Sequence, residues 1–245
     1  MKLTGHTILV TGGTSGIGLA FAEHFHRLGN SVIICGRRKD RLAEIQKRLS
    51  GLHTKVCDVS RAEDRRELFQ WVMDNHPQMD VLINNAGMQL AADLTQEIDL
   101  GAVDRELQTN LVAPMHLSSL FAAHLATKKD AYLINVSSGL AFVPIAFMPI
   151  YCASKAAIHS FTLSLRYQLR KSGIKVIEVI PPSVDSELGH ERRADKSQTH
   201  GGMPIAAFIQ EAMEGLGTDA LEVPVGQAKG LSSKRETLFD MLNPA

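Results

Sequence analysis

Apolar positions along the chain follow two alternating rhythms. Short aliphatic or β-branched runs recur at Thr7 to Val10, Ser31 to Cys35, His53 to Val59, Val81 to Ile83, Tyr132 to Val136 and Lys175 to Ile180. Between them the spacing becomes helical. Leu19, Ala20, Phe21, Ala22, Phe25 and Leu28 share one face, and Gly29 closes that helix. Arg41, Leu42, Ile45 and Leu49 mark the next helix, Arg61 to Asn75 a third, and Leu100 to Leu125 a long one. Ala153, Ala156, Ala157 and Ile158 mark another, and Pro204 to Leu216 reads as amphipathic helix. Strands apolar on both faces, separated by helices, predict an α/β fold: a parallel, doubly wound sheet between two helical layers. Its ligand crevice is expected at the strand C-termini.

No linker or repeat interrupts the pattern, so residues 1–245 are expected to form a single domain. Residues 187–202 are polar and aperiodic, and such a stretch suits either a solvated loop or a lid. Toward the end, Leu221 to Val225 allows a brief strand, and Ser233 to Leu242 reads as a terminal helix suited to a neighbouring subunit.

Composition narrows the class. Lys plus Arg equals Asp plus Glu, 26 against 26, which argues against nucleic acid or an anionic membrane as partner. Cys35, Cys57 and Cys152 form no CxxC pair and no metal-like cluster with histidines, so no metal is expected and a reducing cytoplasm fits. Ile8-Leu9-Val10 is too short for a signal-peptide core. Pro144 and Pro149 cut the long apolar run near residues 140 to 151, so no membrane span is expected.

Three stretches carry chemistry. The first strand leads into Thr11-Gly12-Gly13-Thr14-Ser15-Gly16-Ile17-Gly18 and then a helix. In that setting Gly12 permits a tight turn, Gly16 lets backbone approach phosphate, and Gly18 lets helix pack on strand, with helix N-terminal amides facing a pyrophosphate. The second strand ends at Gly36-Arg37-Arg38, where an acidic residue would select NAD. Two guanidinium groups suit a ribose 2′-phosphate instead, favouring NADP over NAD, although they equally solvate the start of the following helix. Asp58, ending the third run, suits an adenine amino group and equally a helix cap. Finally, Tyr151 and Lys155 lie one helical turn apart on one face. An ammonium beside a phenol favours the phenolate, and lowering a phenol pKa from about 10 to about 7 needs about 4 kcal/mol. Ser138, at a strand end thirteen residues earlier, offers a hydroxyl to hold a substrate oxygen against that phenol. By itself a Tyr–Lys pair at this spacing is common on helices.

TGxxxGxG at Thr11 to Gly18, NNAG at Asn84 to Gly87, Asn110, Ser138, and YxxxK at Tyr151 to Lys155 together resemble the short-chain dehydrogenase/reductase family, compact single-domain branch. Within it, ICGRRKDRLAEIQKRL, LAFVPIAFMPIYCASKAAIHSF and VIPPSVDSEL are similar to the DltE-like oxidoreductases. The resemblance implies a Rossmann fold and an oxidoreductase exchanging hydride between a nicotinamide and a carbonyl or secondary alcohol. It assigns catalysis to Asn110, Ser138, Tyr151 and Lys155, with Ser137 as alternative to Ser138. It assigns cofactor contacts to Gly12, Thr14, Ser15, Gly16, Ile17, Gly18, Arg37, Arg38, Asp58, Val59, Asn85, Ala86, Gly87, Tyr151, Lys155, Pro181, Val184 and Ser186. It puts Asn110 in a kinked helix, makes 187–216 a substrate lid, sets 217–245 apart as an atypical tail, and implies a homodimer or homotetramer pairing through the Asn110 and Tyr151 helices. Ala156, Ala157, Ser160 and Ser164 would permit that close approach. Pro181-Pro182 departs from the family's usual Pro-Gly, and removes a backbone donor near the nicotinamide site.

The substrate is less legible. Leu140, Phe142, Pro144, Phe147 and Met148, with Gln89 and Leu90, suit an apolar pocket, and such residues equally suit plain core. A second reading is a non-catalytic NADP-binding regulatory protein on the same fold.

Overall fold

The computed structural model describes residues 1–188 and 201–243. Seven strands form one parallel sheet in the order β3-β2-β1-β4-β5-β6-β7. These are β1 Thr7–Thr11, β2 Ser31–Gly36, β3 His53–Val56, β4 Val81–Asn84, β5 Tyr132–Val136, β6 Lys175–Ile180 and β7 Glu222–Pro224. The chain runs outward from β1 to one edge and returns through β4 to the other, so the order reverses between β1 and β4. That reversal opens a crevice at the strand C-termini.

Strand alternation sorts side chains into two cores. Ile8, Val10, Ile34, Ile134 and Val179 face one layer, where α1 (Gly16–Arg27), α2 (Lys39–Arg48) and α7 (Ile205–Leu216) pack. Leu9, Ile33, Leu82, Leu133 and Val176 face the other, beneath α3 (Ala62–Asn75), α5 (Ala113–Leu125) and α6 (Pro149–Leu169). The 204–216 part of the expected lid stretch is thus a packed helix, with Phe208 edge-on to Phe21 of α1 at 6.1 Å. Positions 189–200 of that stretch lie outside the described residues.

Several local expectations change. The third strand ends at Val56 rather than Val59, because Asp58 accepts from the backbone and hydroxyl of Ser60 and turns the chain away. The long helix is two: α4 (Leu100–Leu107) and α5, joined by a π-helical stretch Gln108–Val112 that carries Asn110. The terminal helix starts earlier, as α8 (Ala228–Lys234), and breaks at Arg235, whose φ is +51°, before α9 (Phe239–Leu242). It packs on its own chain: Leu231, Leu238 and Leu242 cover Phe142, Val143 and Ile180. Among the described residues no helix is long and apolar enough to cross a membrane.

Gly18 tests how tightly α1 packs on the β1 turn. A Cβ there would lie 2.4 Å from the Gly12 carbonyl oxygen and 2.3 Å from Asn85 Nδ2. Gly18→Ala is therefore expected to destabilise the fold by about 1–3 kcal/mol in urea unfolding.

Candidate active site

The crevice floor is the turn after β1. Gly12 has φ +67°, and a Cβ on it would meet Ala86 Cα at 2.8 Å, so only glycine lets the turn touch the segment after β4. Thr11 Oγ1 accepts from the Asn85 and Ala86 amides at 3.0 and 3.1 Å, and Asn85 Nδ2 donates to the Thr11 carbonyl at 2.9 Å. Asn85 and Ala86 thereby hold the turn in place. Val59, Ala86, Thr109 and Ala113 border a small cleft beside it.

At the outer end of the turn, Arg38 fans across three partners. It donates to Thr14 Oγ1 at 3.0 Å, Ser15 Oγ at 2.7 Å and Glu187 Oε2 at 2.7 Å. Arg41 approaches the other Glu187 oxygen at 4.0 Å. Partial burial works against the Glu187 charge, yet hydrogen bonds from Arg38 and Ser15 and the nearby Arg41 hold its carboxyl below the usual carboxylate range. Arg37, the first residue after β2, is exposed. The aspartate after β3 neither caps α3 nor reaches this cluster in its described contacts; Asp58 closes its own turn onto Ser60.

The third group sits where α6 passes over β5. Ser138 ends β5's extension, is buried, and accepts from the Leu140 amide at 3.1 Å as the cap of a short 3-10 turn. Ser137 points back into the sheet toward the Val179 carbonyl. Pro149 opens α6, and Tyr151 and Lys155 follow on one face with the Lys155 Nζ 5.7 Å from the Tyr151 ring centre. Lys155 is buried and donates to the Val136 carbonyl at 3.0 Å. Loss of water pushes its ammonium down to about 8, against the pull of Glu178 and Glu106, which favour the charge.

Asn110 joins these parts. Its amide exchanges hydrogen bonds with both backbone groups of Met88, each at 2.8 Å, and donates to Ser154 Oγ at 3.1 Å. A π turn lets this happen, since it rotates one residue inward from the regular helical path. Gly87 faces the space between: a Cβ there would lie 3.5 Å from Asn110 Oδ1 and 3.8 Å from Lys155 Nζ. The second proline after β6 takes no part in this bonding, while the Pro181 carbonyl accepts from the Gly139 amide at 2.8 Å. Val184 is buried and bridges in parallel to Met203, and the Ser186 side chain faces Gly16. Of the candidate pocket residues, Phe142 and Met148 are buried, Met148 in one cluster with Tyr151, and Phe147 is exposed.

The model of the short chain dehydrogenases matches residues 6–197. The chain belongs to that family of oxidoreductases. It is 42% identical over 243 residues to the oxidoreductase DltE of Bacillus subtilis, covering 99% of this chain and 96% of the relative. A short-chain dehydrogenase from Sphingobium yanoikuyae, solved in complex with NADPH, is 26% identical with a TM-score of 0.81, over 93% of this chain and 92% of that one. A short-chain dehydrogenase/reductase from Burkholderia phymatum, solved with NAD, superposes with a TM-score of 0.85 at 20% identity, over 96% and 93% of the two chains. At that identity the likeness speaks for the fold alone.

Sequence reading overlooked Glu187, Glu106, Glu178 and His159. Glu178 had a signal, a lone acid inside the apolar run Lys175 to Ile180. Glu187 had none, because its partner Arg38 is 149 positions away. Replacing Asn110 by Ala strips partners from Met88 and Ser154 together. It is expected to cost about 1–3 kcal/mol and to accelerate amide exchange at Met88, both measurable on the purified protein.

Proposed function

We propose that this chain is an NADP-dependent reductase of carbonyl compounds that also oxidises the corresponding secondary alcohols, with Ser138, Tyr151 and Lys155 as its catalytic residues. The observation that carries this reading is the buried Lys155 ammonium one turn from Tyr151, beside a strand-end serine. The residues present fit the cofactor: the close-packed β1 turn leaves no room for added side chains, and an internal carboxylate already sits on the anion-binding donors of Arg38 and Ser15. The nicotinamide, when bound, supplies the hydride exchanged with the substrate carbon. In reduction, the Tyr151 hydroxyl donates a proton to the carbonyl oxygen, and in oxidation its phenolate takes the alcohol proton. Ser138 donates to the same oxygen and fixes its direction. Lys155 lends positive charge to the phenol and reaches toward the ribose. Asn110 holds Met88 and the helix behind the lysine in register.

Arg38 would hold the 2′-phosphate with Thr14 and Ser15, and Arg37 would add charge from outside. NADPH would then have to displace Glu187 from those donors. The exposed stripe Ala156, Ser160, Leu163 and Tyr167 along α6 is suited to a second copy of the chain, giving a homodimer or a homotetramer.

Tyr151→Phe is expected to lower turnover of a carbonyl substrate about 10²–10⁴-fold while NADPH binding, followed by fluorescence, stays intact. Full activity in that variant would remove Tyr151 from the mechanism. Reduction should also fall as pH rises through about 8, since Lys155 then loses the charge that stabilises the phenolate left when Tyr151 gives its proton to the carbonyl, making Tyr151 a weaker acid. For the cofactor, Arg37→Ala/Arg38→Ala should weaken NADPH binding and spare NADH, whereas Glu187→Gln should tighten NADPH; equal binding of NADPH and NADH by the unaltered protein would overturn the NADP assignment.

A further inference from the structure

One row of polar side chains crosses the sheet beneath the candidate site. Asn84 of β4 pairs in register with Asn135 of β5, and Asn135 with Glu178 of β6. Two residues earlier on the same strands, Leu82, Leu133 and Val176 belong to the apolar layer under α5 and α6. Strand alternation puts the polar row on that same face. The asparagines have neutral partners: Asn84 donates to Asn135 at 2.9 Å, and Asn135 to Thr162 at 2.9 Å. Glu178 differs, because it brings a carboxylate to a position with no solvent exposure.

Such a group is costly unless something on the protein needs its charge. Glu178 Oε2 lies 2.8 Å from His159 Nδ1, and its Oε1 has no hydrogen-bond partner among the described residues. His159 itself is held edge-on against Phe142, ring centres 4.6 Å apart. It follows Lys155 by one turn of α6, as Lys155 follows Tyr151, so the three side chains share one helical face. The titratable groups around Lys155 are Tyr151 and His159 on its own helix, Glu106 on α4 and Glu178 on β6. Of the two carboxylates, Glu178 favours the Lys155 charge more strongly.

We propose that Glu178, held by a hydrogen bond from His159, is a positioning residue that supplies the buried counter-charge keeping Lys155 protonated behind Tyr151. The proposal rests on the catalytic reading of Tyr151 and Lys155 given above. Glu178 lies against His159, one turn along α6 from Lys155, and its carboxylate favours the Lys155 charge. A merely structural tie between α6 and β6 would be served equally by a neutral amide at 178.

The test is the titration of Lys155 in the whole protein, followed by NMR of lysine labelled with ¹³C at Cε, the signal being assigned with Lys155→Met. Glu178→Gln should move the Lys155 midpoint down by about half a unit or more, and should carry the alkaline limb of carbonyl reduction the same way. Glu178→Asp should restore much of that shift. Should Glu178→Gln fail to fold, His159→Leu reads the same link, because it removes the side chain that holds Glu178 in place beside the Lys155 face of α6. A folded Glu178→Gln or His159→Leu protein with an unmoved midpoint overturns the proposal. If the midpoint moves but no carbonyl compound is turned over, the charge link stands and the reductase reading falls.

Discussion

Everything at this site answers to one constraint, the burial of the Lys155 ammonium. A cation withdrawn from water must find oxygen partners and counter-charge, or give up its proton. Here the partner is the Val136 carbonyl, at the point where β5 leaves the sheet, and the counter-charge comes from Glu178 and Glu106. Meeting that need dictates where α6 crosses β5. Gly87 faces both the amine and Asn110, which in turn bonds Ser154.

The segment between Ser138 and Pro149 hangs from this arrangement and must be held at both ends. The Gly139 amide bonds the Pro181 carbonyl, which ties the segment to the end of β6. At its far end Asn243 donates to the Pro144 carbonyl at 3.0 Å and accepts from Ala146. Leu231 and Ala228 press on Gly139, where a Cβ would come within 2.7 Å of Leu231. The C-terminal tail thus packs over the stretch that leads into Tyr151. The diproline after β6 belongs to the same packing, with the Pro182 ring next to Gly226. Rigid at Pro182 and braced by the tail, this wall of the crevice is shaped by apolar contact where a glycine would leave it free.

The local signals in the chain were strong where one residue type answers one geometric demand. Alternating strand and helix rhythms placed six strands and the order of helices, because both faces of a parallel sheet must be apolar. The glycine turn, the Asn84 to Gly87 segment and the Tyr151–Lys155 spacing were legible for the same reason: each depends on neighbours only a few positions apart. The exact β3 end and the break at Arg235 were not, and the π form of the Asn110 kink depends on Met88, 22 positions away.

From sequence alone, then, come the doubly wound sheet, the crevice at its strand ends, and a phenol and an ammonium on one face of a helix. Tertiary structure alone decided what surrounds that pair. Glu178 meets His159 and influences Lys155 only because β6 lies beside β5 under α6. Glu187 meets Arg38 only because the chain after β6 returns across the mouth of the β1 turn. Charge interactions act through space, and the chain separations involved, from about twenty positions to well over a hundred, carry no periodicity for a sequence to reveal.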